Sequence, residues 1–199
     1  DITKKEDIKL LVEKTHKEFR RIDILVNNTG GPPPSLFMGT TEANWREAVD
    51  LLLMSVVKCC REVIPFMQRN GWGRIINMTS FAAKQPAERL VLSNSLRAGI
   101  LGLTKTLSNE LAEYGILVNA VCPGWTMTSR VEELAKSTAE KTGKSSETVI
   151  SEWASSIPLR RLAKPEEIAN VVVFLASEKA SYITGTVVQV DGGFTRALL

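Results

Sequence analysis

Gly73–Leu103 reads GRIINMTSFAAKQPAERLVLSNSLRAGILGL, a strand, a loop and a helix in succession. Arg74–Thr79 is the strand, and it ends in Ser80. The loop carries Pro86, and a long helix follows from Val91 to about Tyr114. Within that helix Ser93 and Arg97 stand four residues apart, so both project from one face of a single turn. A hydroxyl at a strand end and a hydroxyl–guanidinium pair on the next helix are the first candidate chemical groups.

Working outward, helices and strands alternate along the chain. Residues 5–20 form an amphipathic helix with Ile8, Leu11, Val12 and Phe19 on one side, and His16 is expected in solvent. Ile24–Asn27 is a short apolar strand entering a turn. Thr41 can cap a long helix covering Trp45–Asn70, stopped by Gly71. Ile116–Val121 is another apolar strand, broken by Pro123-Gly124. A polar, helix-prone excursion occupies Ser129–Ile157, interrupted at Gly143. Pro165 opens a further helix with Glu166 and Glu167 in its first turn, and Thr186–Val190 is the last strand. Arg160, Arg161 and Lys164 are expected to pair with those two glutamates. Short apolar strands separated by helices of ten or more residues predict a parallel sheet covered on both faces, hence one α/β domain over 1–199.

Composition excludes several classes. The chain has 199 residues, 44% of them hydrophobic and 24% charged, enough apolar content for a core. A net charge of +3 without a dense Lys/Arg block gives no footprint for nucleic acid. No apolar run is long enough to span a bilayer, and Asp-Ile-Thr-Lys-Lys at the start is no signal peptide, so no membrane association is predicted. Cys59, Cys60 and Cys122 are odd in number and lack metal-ligand spacing. They are expected as buried thiols in a reducing cytoplasm, with no metal site.

Five motifs, in order and correctly spaced, carry a resemblance across nearly the whole chain. They are Asn27-Asn28-Thr29-Gly30, Gly73-Arg74-Ile75-Ile76-Asn77 leading to Ser80, Val118-Asn119-Ala120-Val121-Cys122-Pro123-Gly124, Tyr182-Ile183-Thr184-Gly185, and Val190-Asp191-Gly192-Gly193. Together they resemble the short-chain dehydrogenase/reductase family. The resemblance implies a Rossmann-like, doubly wound parallel sheet and an NAD(P)-dependent oxidation or reduction of a carbonyl or secondary alcohol. It also implies a small-molecule substrate and a homodimer or homotetramer paired through the two long helices.

The family's active-site set comprises an Asn, a Ser and a Tyr-x-x-x-Lys pair. Matched by spacing, these fall on Leu52, Ser80, Ser93 and Arg97, so only the serine survives. A phenol, with a pKa near 10, is brought toward neutrality by one nearby cation, whereas an aliphatic hydroxyl is a far weaker acid. Arg97 keeps a positive charge but stays protonated. The implied cofactor residues are Asp1, near the adenine, Asn27 and Gly30 at the turn, and Pro123, Gly124, Thr126 and Thr128 facing the nicotinamide. Ser129–Ile157 falls where the family builds its substrate lid, and Trp125, Met127 and Trp153 are expected in an apolar pocket. That favours a hydrophobic substrate, with a 3-oxoacyl compound as one candidate.

A dinucleotide fold ordinarily opens with a strand, a glycine-rich turn and a helix whose N-terminus holds the pyrophosphate. No such turn occurs here; Gly30-Gly31 is followed by three prolines. The absent part corresponds to two βαβ-sized pieces, roughly 60 residues, so a fragment lacking its first strands is expected, with weakened NAD(P) affinity. Two functional readings stand side by side. One is a reductase or dehydrogenase that polarises its substrate through Ser80, Ser93 and Arg97. The other is a catalytically impaired relative serving as an oligomeric scaffold.

Overall fold

The computed structural model describes residues 1–197. Helix α1 (Lys5–Phe19) leads to strand β1 (Ile24–Asn27). Helix α2 (Glu42–Ala48), a π-helical turn (Val49–Met54) and α3 (Ser55–Asn70) form one continuous helical run, which Gly71 ends in the left-handed region before β2 (Gly73–Met78). Then come α4 (Val91–Leu111), β3 (Ile116–Pro123), α5 (Ser129–Thr142), α6 (Ser146–Ser155), α7 (Pro165–Ala176) and β4 (Val187–Val190). The four strands form one sheet in the order β1-β2-β3-β4, every pair parallel. The expected α/β parallel sheet is thus present.

Alternation along the strands builds two cores. Successive strand residues face opposite sides, so Ile75 and Ile76 part company. Ile75 joins Val118, Val56, Val63, Met67 and Ile100 beneath α3 and α4. Ile76 joins Val121, Ile168 and Leu175 beneath α7. Both faces of β2 and β3 are therefore dry, which is why these strands read as near-continuous apolar runs.

Most predicted boundaries hold within two residues. The helix predicted as one piece over Trp45–Asn70 is instead α2, a widened turn and α3. Thr41 does cap it: its hydroxyl accepts from Asn44 N–H at 3.2 Å, and Asn44 Oδ1 accepts from Thr41 N–H at 3.0 Å. On α1 the expected apolar face divides. Ile8 and Val12 are buried, whereas Leu11 and Phe19 are 59% and 69% exposed. His16 is not simply solvated; its ring lies 4.5 Å from that of Phe66. Periodicity marks a face as apolar but cannot say what covers it.

No helix among the described residues is long and apolar enough to cross a membrane. No group of three or more His, Cys, Asp or Glu among them could hold a metal ion. The three cysteines are free thiols, with Cys60 and Cys122 buried and Cys59 half-buried.

Candidate active site at the carboxyl end of the sheet

Parallel strands deliver their carboxyl ends to one edge, so the turns after β1, β2 and β3 gather there. A buried polar chain fixes their depth. Asn27 Nδ2 donates to its cross-strand partner Asn77 at 2.8 Å. Asn77 Nδ2 donates to Thr104 Oγ1 on α4 at 2.9 Å, and that hydroxyl donates to Ile100 O. Asn27 is consequently a structural residue whose side chain faces the protein interior.

Arg97 occupies the centre of this edge and is 7% exposed. Its Nη1 donates to the carbonyls of Thr79 at 3.1 Å and Met78 at 3.3 Å, and its Nη2 donates to Gly30 O at 3.2 Å. A lysine ammonium lacks the planar fork that reaches three carbonyls on two strands' ends. Burial pushes the guanidinium below its ordinary pKa, opposed by Cys122.

Two hydroxyls stand beside this cation with their protons uncommitted. Ser80 Oγ accepts from Ala82 N–H at 3.2 Å, which leaves its own hydrogen free among the described residues. Ser93 is 8% exposed, and its Oγ has no hydrogen-bond partner among the described residues. A β-carbon placed on Gly31 would lie 3.8 Å from both Ser93 Oγ and Arg97 Nη2, so the two side chains converge on that glycine. Arg97 also holds the carbonyl of Thr79, the residue before Ser80. Ser93 and Arg97 thus meet at Gly31, and Ser80 is linked to Arg97 through the Thr79 carbonyl that precedes it.

Beneath them lies Cys122, which the spacing argument did not single out. Thr79 Oγ1 lies 3.0 Å from Val121 O and 2.9 Å from Cys122 Sγ, so its hydroxyl is shared between the end of β3 and the thiol. Burial raises the Cys122 pKa, opposed by the Thr79 hydrogen bond and by Lys84, Ser80 N–H and Arg97. Leu52 is fully buried in a cluster with Leu92 and Leu96, where it contributes packing.

Two cavities open near this edge, lined by residues adjacent in sequence to the two serines, and share Pro34. One of about 400 Å³ is bounded by Gly31, Leu51 and Leu92. The other, about 760 Å³, is walled by Phe81, Trp125, Trp153 and Phe194, with Ser137 and Lys141 of α5 opposite. Neither serine lines the larger cavity itself; it begins at Phe81, the next residue after Ser80. Trp125 and Trp153 thus line it as expected, whereas Met127 does not. Phe81 and Phe194 were missed, because single aromatics in loops have no spacing signal.

Among the candidate cofactor residues, Pro123 and Gly124 end β3 at this edge. Gly124 is packed so closely that a β-carbon would meet Asp191 at 2.7 Å, while Gly30 faces open space. Thr126 Oγ1 donates to Gly124 O at 3.1 Å, and Thr128 is the exposed N-cap of α5. Asp1 differs: its carboxylate accepts from the Thr3 N–H and hydroxyl, and Thr3 is not a site residue. Of the basic cluster, Arg161 pairs with Glu167 at 2.6 Å, whereas Arg160 instead donates to Ser155 O. Tyr182 packs on nothing; its ring stands wholly in solvent.

The family model described as enoyl-(acyl carrier protein) reductase matches residues 1–195. The 3-oxoacyl-[acyl-carrier-protein] reductase FabG of Thermotoga maritima is 37% identical over 193 residues, which are 97% of this chain and 74% of that protein. The short-chain reductase protein NovJ of Streptomyces niveus is also 37% identical, over 97% of this chain and 72% of its own length. Among solved structures, L-sorbose reductase from Gluconobacter frateurii, complexed with NADPH and L-sorbose, superposes with a TM-score of 0.95 at 33% identity. It covers all of this chain and 76% of that one.

Proposed function

The chain belongs to the short-chain dehydrogenase/reductase family, and from that premise we propose that it reduces a carbonyl compound through Ser80, Ser93 and Arg97. It is an oxidoreductase of that family's type. The observation that carries the reading is the pair of uncommitted hydroxyl protons beside one buried guanidinium.

A carbonyl oxygen seated between Ser80 and Ser93 would accept from both hydroxyls. The charge of Arg97 adds a positive potential there, strengthened by burial, which favours negative charge developing on that oxygen. Neither an aliphatic hydroxyl nor a guanidinium yields a proton readily near neutral pH. The proton is therefore drawn from water rather than from a side chain. NADP(H) or NAD(H), when bound, supplies the hydride. Gly30, Pro123, Gly124, Thr126 and Thr128 would hold its nicotinamide half, with the Asn27 side chain supporting the turn from below. Asp1 is the candidate on the adenine side. Nothing in the sequence provides a glycine-rich phosphate turn, so this chain is expected to bind the dinucleotide weakly, with no micromolar complex by calorimetry.

The larger cavity suits an apolar substrate, a 3-oxoacyl compound among the candidates. We read 1–199 as one domain in which α5 and α6, within residues 129–157, serve as the lid. The outer face of α4, where Ala98, Gly99 and Gly102 are exposed, offers a smooth surface for pairing into a homodimer or homotetramer. Three free thiols fit a cytoplasmic setting.

The test is NADPH oxidation by the full chain at millimolar NADPH across a carbonyl panel. Ser80→Ala should lower the rate about 10²-fold, the usual loss for one oxyanion donor. Absence of turnover, or a rate indifferent to that change, would favour the scaffold reading instead.

A further inference from the structure

The larger cavity is defined by aromatic rings that arrive from separate parts of the chain. Phe81 follows β2, Trp125 follows β3, Phe194 follows β4, and Trp153 comes from α6. The exits of β2, β3 and β4 thus each contribute one ring to the same space, and α6 supplies the fourth. Their orientations differ in a regular way. Trp125 and Trp153 are stacked, centroids 4.8 Å apart with planes 13° from parallel. Phe81 and Phe194 meet edge to face at 4.9 Å and 79°, and Phe81 is tilted at 42° to Trp125 across 5.8 Å. The two indoles lie nearly parallel and the two phenyl rings nearly perpendicular, and all four border the same cavity.

Phe194 is held there deliberately by the preceding turn. The Asp191 carboxylate accepts from Gly193 N–H at 3.0 Å and Thr195 N–H at 2.9 Å, while Asp191 O accepts from Phe194 N–H at 3.1 Å. Trp125, Trp153 and Phe194 all remain only half-buried, so ring surface stays uncovered on the cavity side. On α5, Ser137 is half-buried and its hydroxyl has no partner among the described residues.

We propose that the ligand of this cavity is a planar aromatic ketone, its ring system laid against the Trp125–Trp153 stack and its carbonyl directed past Phe81 toward Ser80. The ketone part rests on the reductase reading above; the arene part rests on the rings alone. Polar side chains, Gln85, Glu88, Arg89 and Lys141 among them, also border the cavity, but the rings supply a continuous apolar face that a polyol would leave without hydrogen bonds. A linear acyl chain would gain the same burial from leucine or methionine. An arene gains, in addition, about 0.5–1.5 kcal/mol for each well-placed ring pair. At about 760 Å³ the space accommodates a bicyclic or tricyclic system. Ser137 provides a polar contact for a ring hydroxyl.

The probes are 2-acetonaphthone and 2-dodecanone, which have equal carbon counts, titrated into the full chain and followed by tryptophan fluorescence and calorimetry. Burial of apolar area alone favours the more flexible, more apolar dodecanone, so the order of affinity is diagnostic. The arene should bind about 10-fold more tightly, and Trp153→Leu should remove about that factor for the arene while changing dodecanone less than about twofold. Equal affinities, tighter binding of dodecanone, equal losses in the variant, or no binding of either ketone would overturn the proposal. Should Trp153→Leu fail to fold by circular dichroism, the wild-type order decides alone. NADPH oxidation is read separately. Arene binding without oxidation upholds the ring pocket and sinks the reductase reading; oxidation restricted to aliphatic ketones does the reverse.

Discussion

Arg97 Nη2 donates to Gly30 O across 3.2 Å while Nη1 of the same side chain holds Thr79 O at 3.1 Å. One residue of α4 thereby ties the turn after β1 to the end of β2, beside the two hydroxyls. Arg97→Ala leaves these carbonyls without their charged donor and should cost about 2–3 kcal/mol in urea unfolding. Arg97→Lys keeps the charge but not the fork, and an intermediate loss is expected. A change below about 0.5 kcal/mol for the alanine variant would show that the staple contributes nothing.

Opposite Ser93 stands Gly31, which has no side chain, and the smaller cavity of about 400 Å³ opens beside both Gly31 and Leu92. A phenol introduced at position 93 would extend past Gly31 toward that cavity. The double change Ser93→Tyr with Arg97→Lys should raise the carbonyl-reduction rate about 10²-fold, the lower end of the gain from a positioned general acid. An unchanged steady-state rate in a folded double variant counts against Ser93 lying next to the reacting oxygen.

Gly124 presses against Asp191, the residue that positions Phe194. A β-carbon at 124 would meet Asp191 Cα and Cβ at 2.7 Å, and backbone cannot yield as a flexible side chain does. Gly124→Ala should therefore destabilise the fold by about 1–3 kcal/mol. It should also weaken 2-acetonaphthone binding through the displaced Phe194, measured by melting temperature and fluorescence titration together. Retention of both would mean that the turn after β3 relaxes independently of β4.

Burial pushes the Cys60 thiol up to about 12, opposed by the Asn27 hydrogen bond. A thiol whose folded pKa exceeds its unfolded value of about 8.5 stabilises the fold fully below that value. The contribution disappears as pH rises from there through about 12. Unfolding free energy should accordingly decline across alkaline pH, and less steeply in Cys60→Ala. At pH 8 a thiol reagent should find at most the half-buried Cys59 in native protein, against all three cysteines after denaturation. Rapid labelling of Cys60 in the native state would contradict the buried placement.

How much of this was legible in the residues can be judged element by element. The bounds of β1 came out as Ile24–Asn27 from apolar content alone, yet Ile24 and Val26 are 48% and 43% exposed, so apolar content located the strand without saying what covers it. Capping by Thr41 was legible because the cap is made by residues three apart. The pairing of Ser93 with Arg97 on one helix face followed from helical spacing. In α1, by contrast, Leu11 and Phe19 read as core and are exposed. A periodic stripe reports only that a face is apolar.

The sequence by itself determined the strand–helix alternation and the parallel sheet, since these rest on periodicity within short stretches. Only the tertiary structure decided that Arg97 spends its donors on three backbone carbonyls, that Cys122 lies under the site, and that four rings share one cavity. Those contacts join residues such as Gly30 with Arg97 and Phe81 with Phe194, far apart along the chain. Their meeting depends on the register of β1, β2, β3 and β4 and on the helices packed across them, which no local pattern encodes.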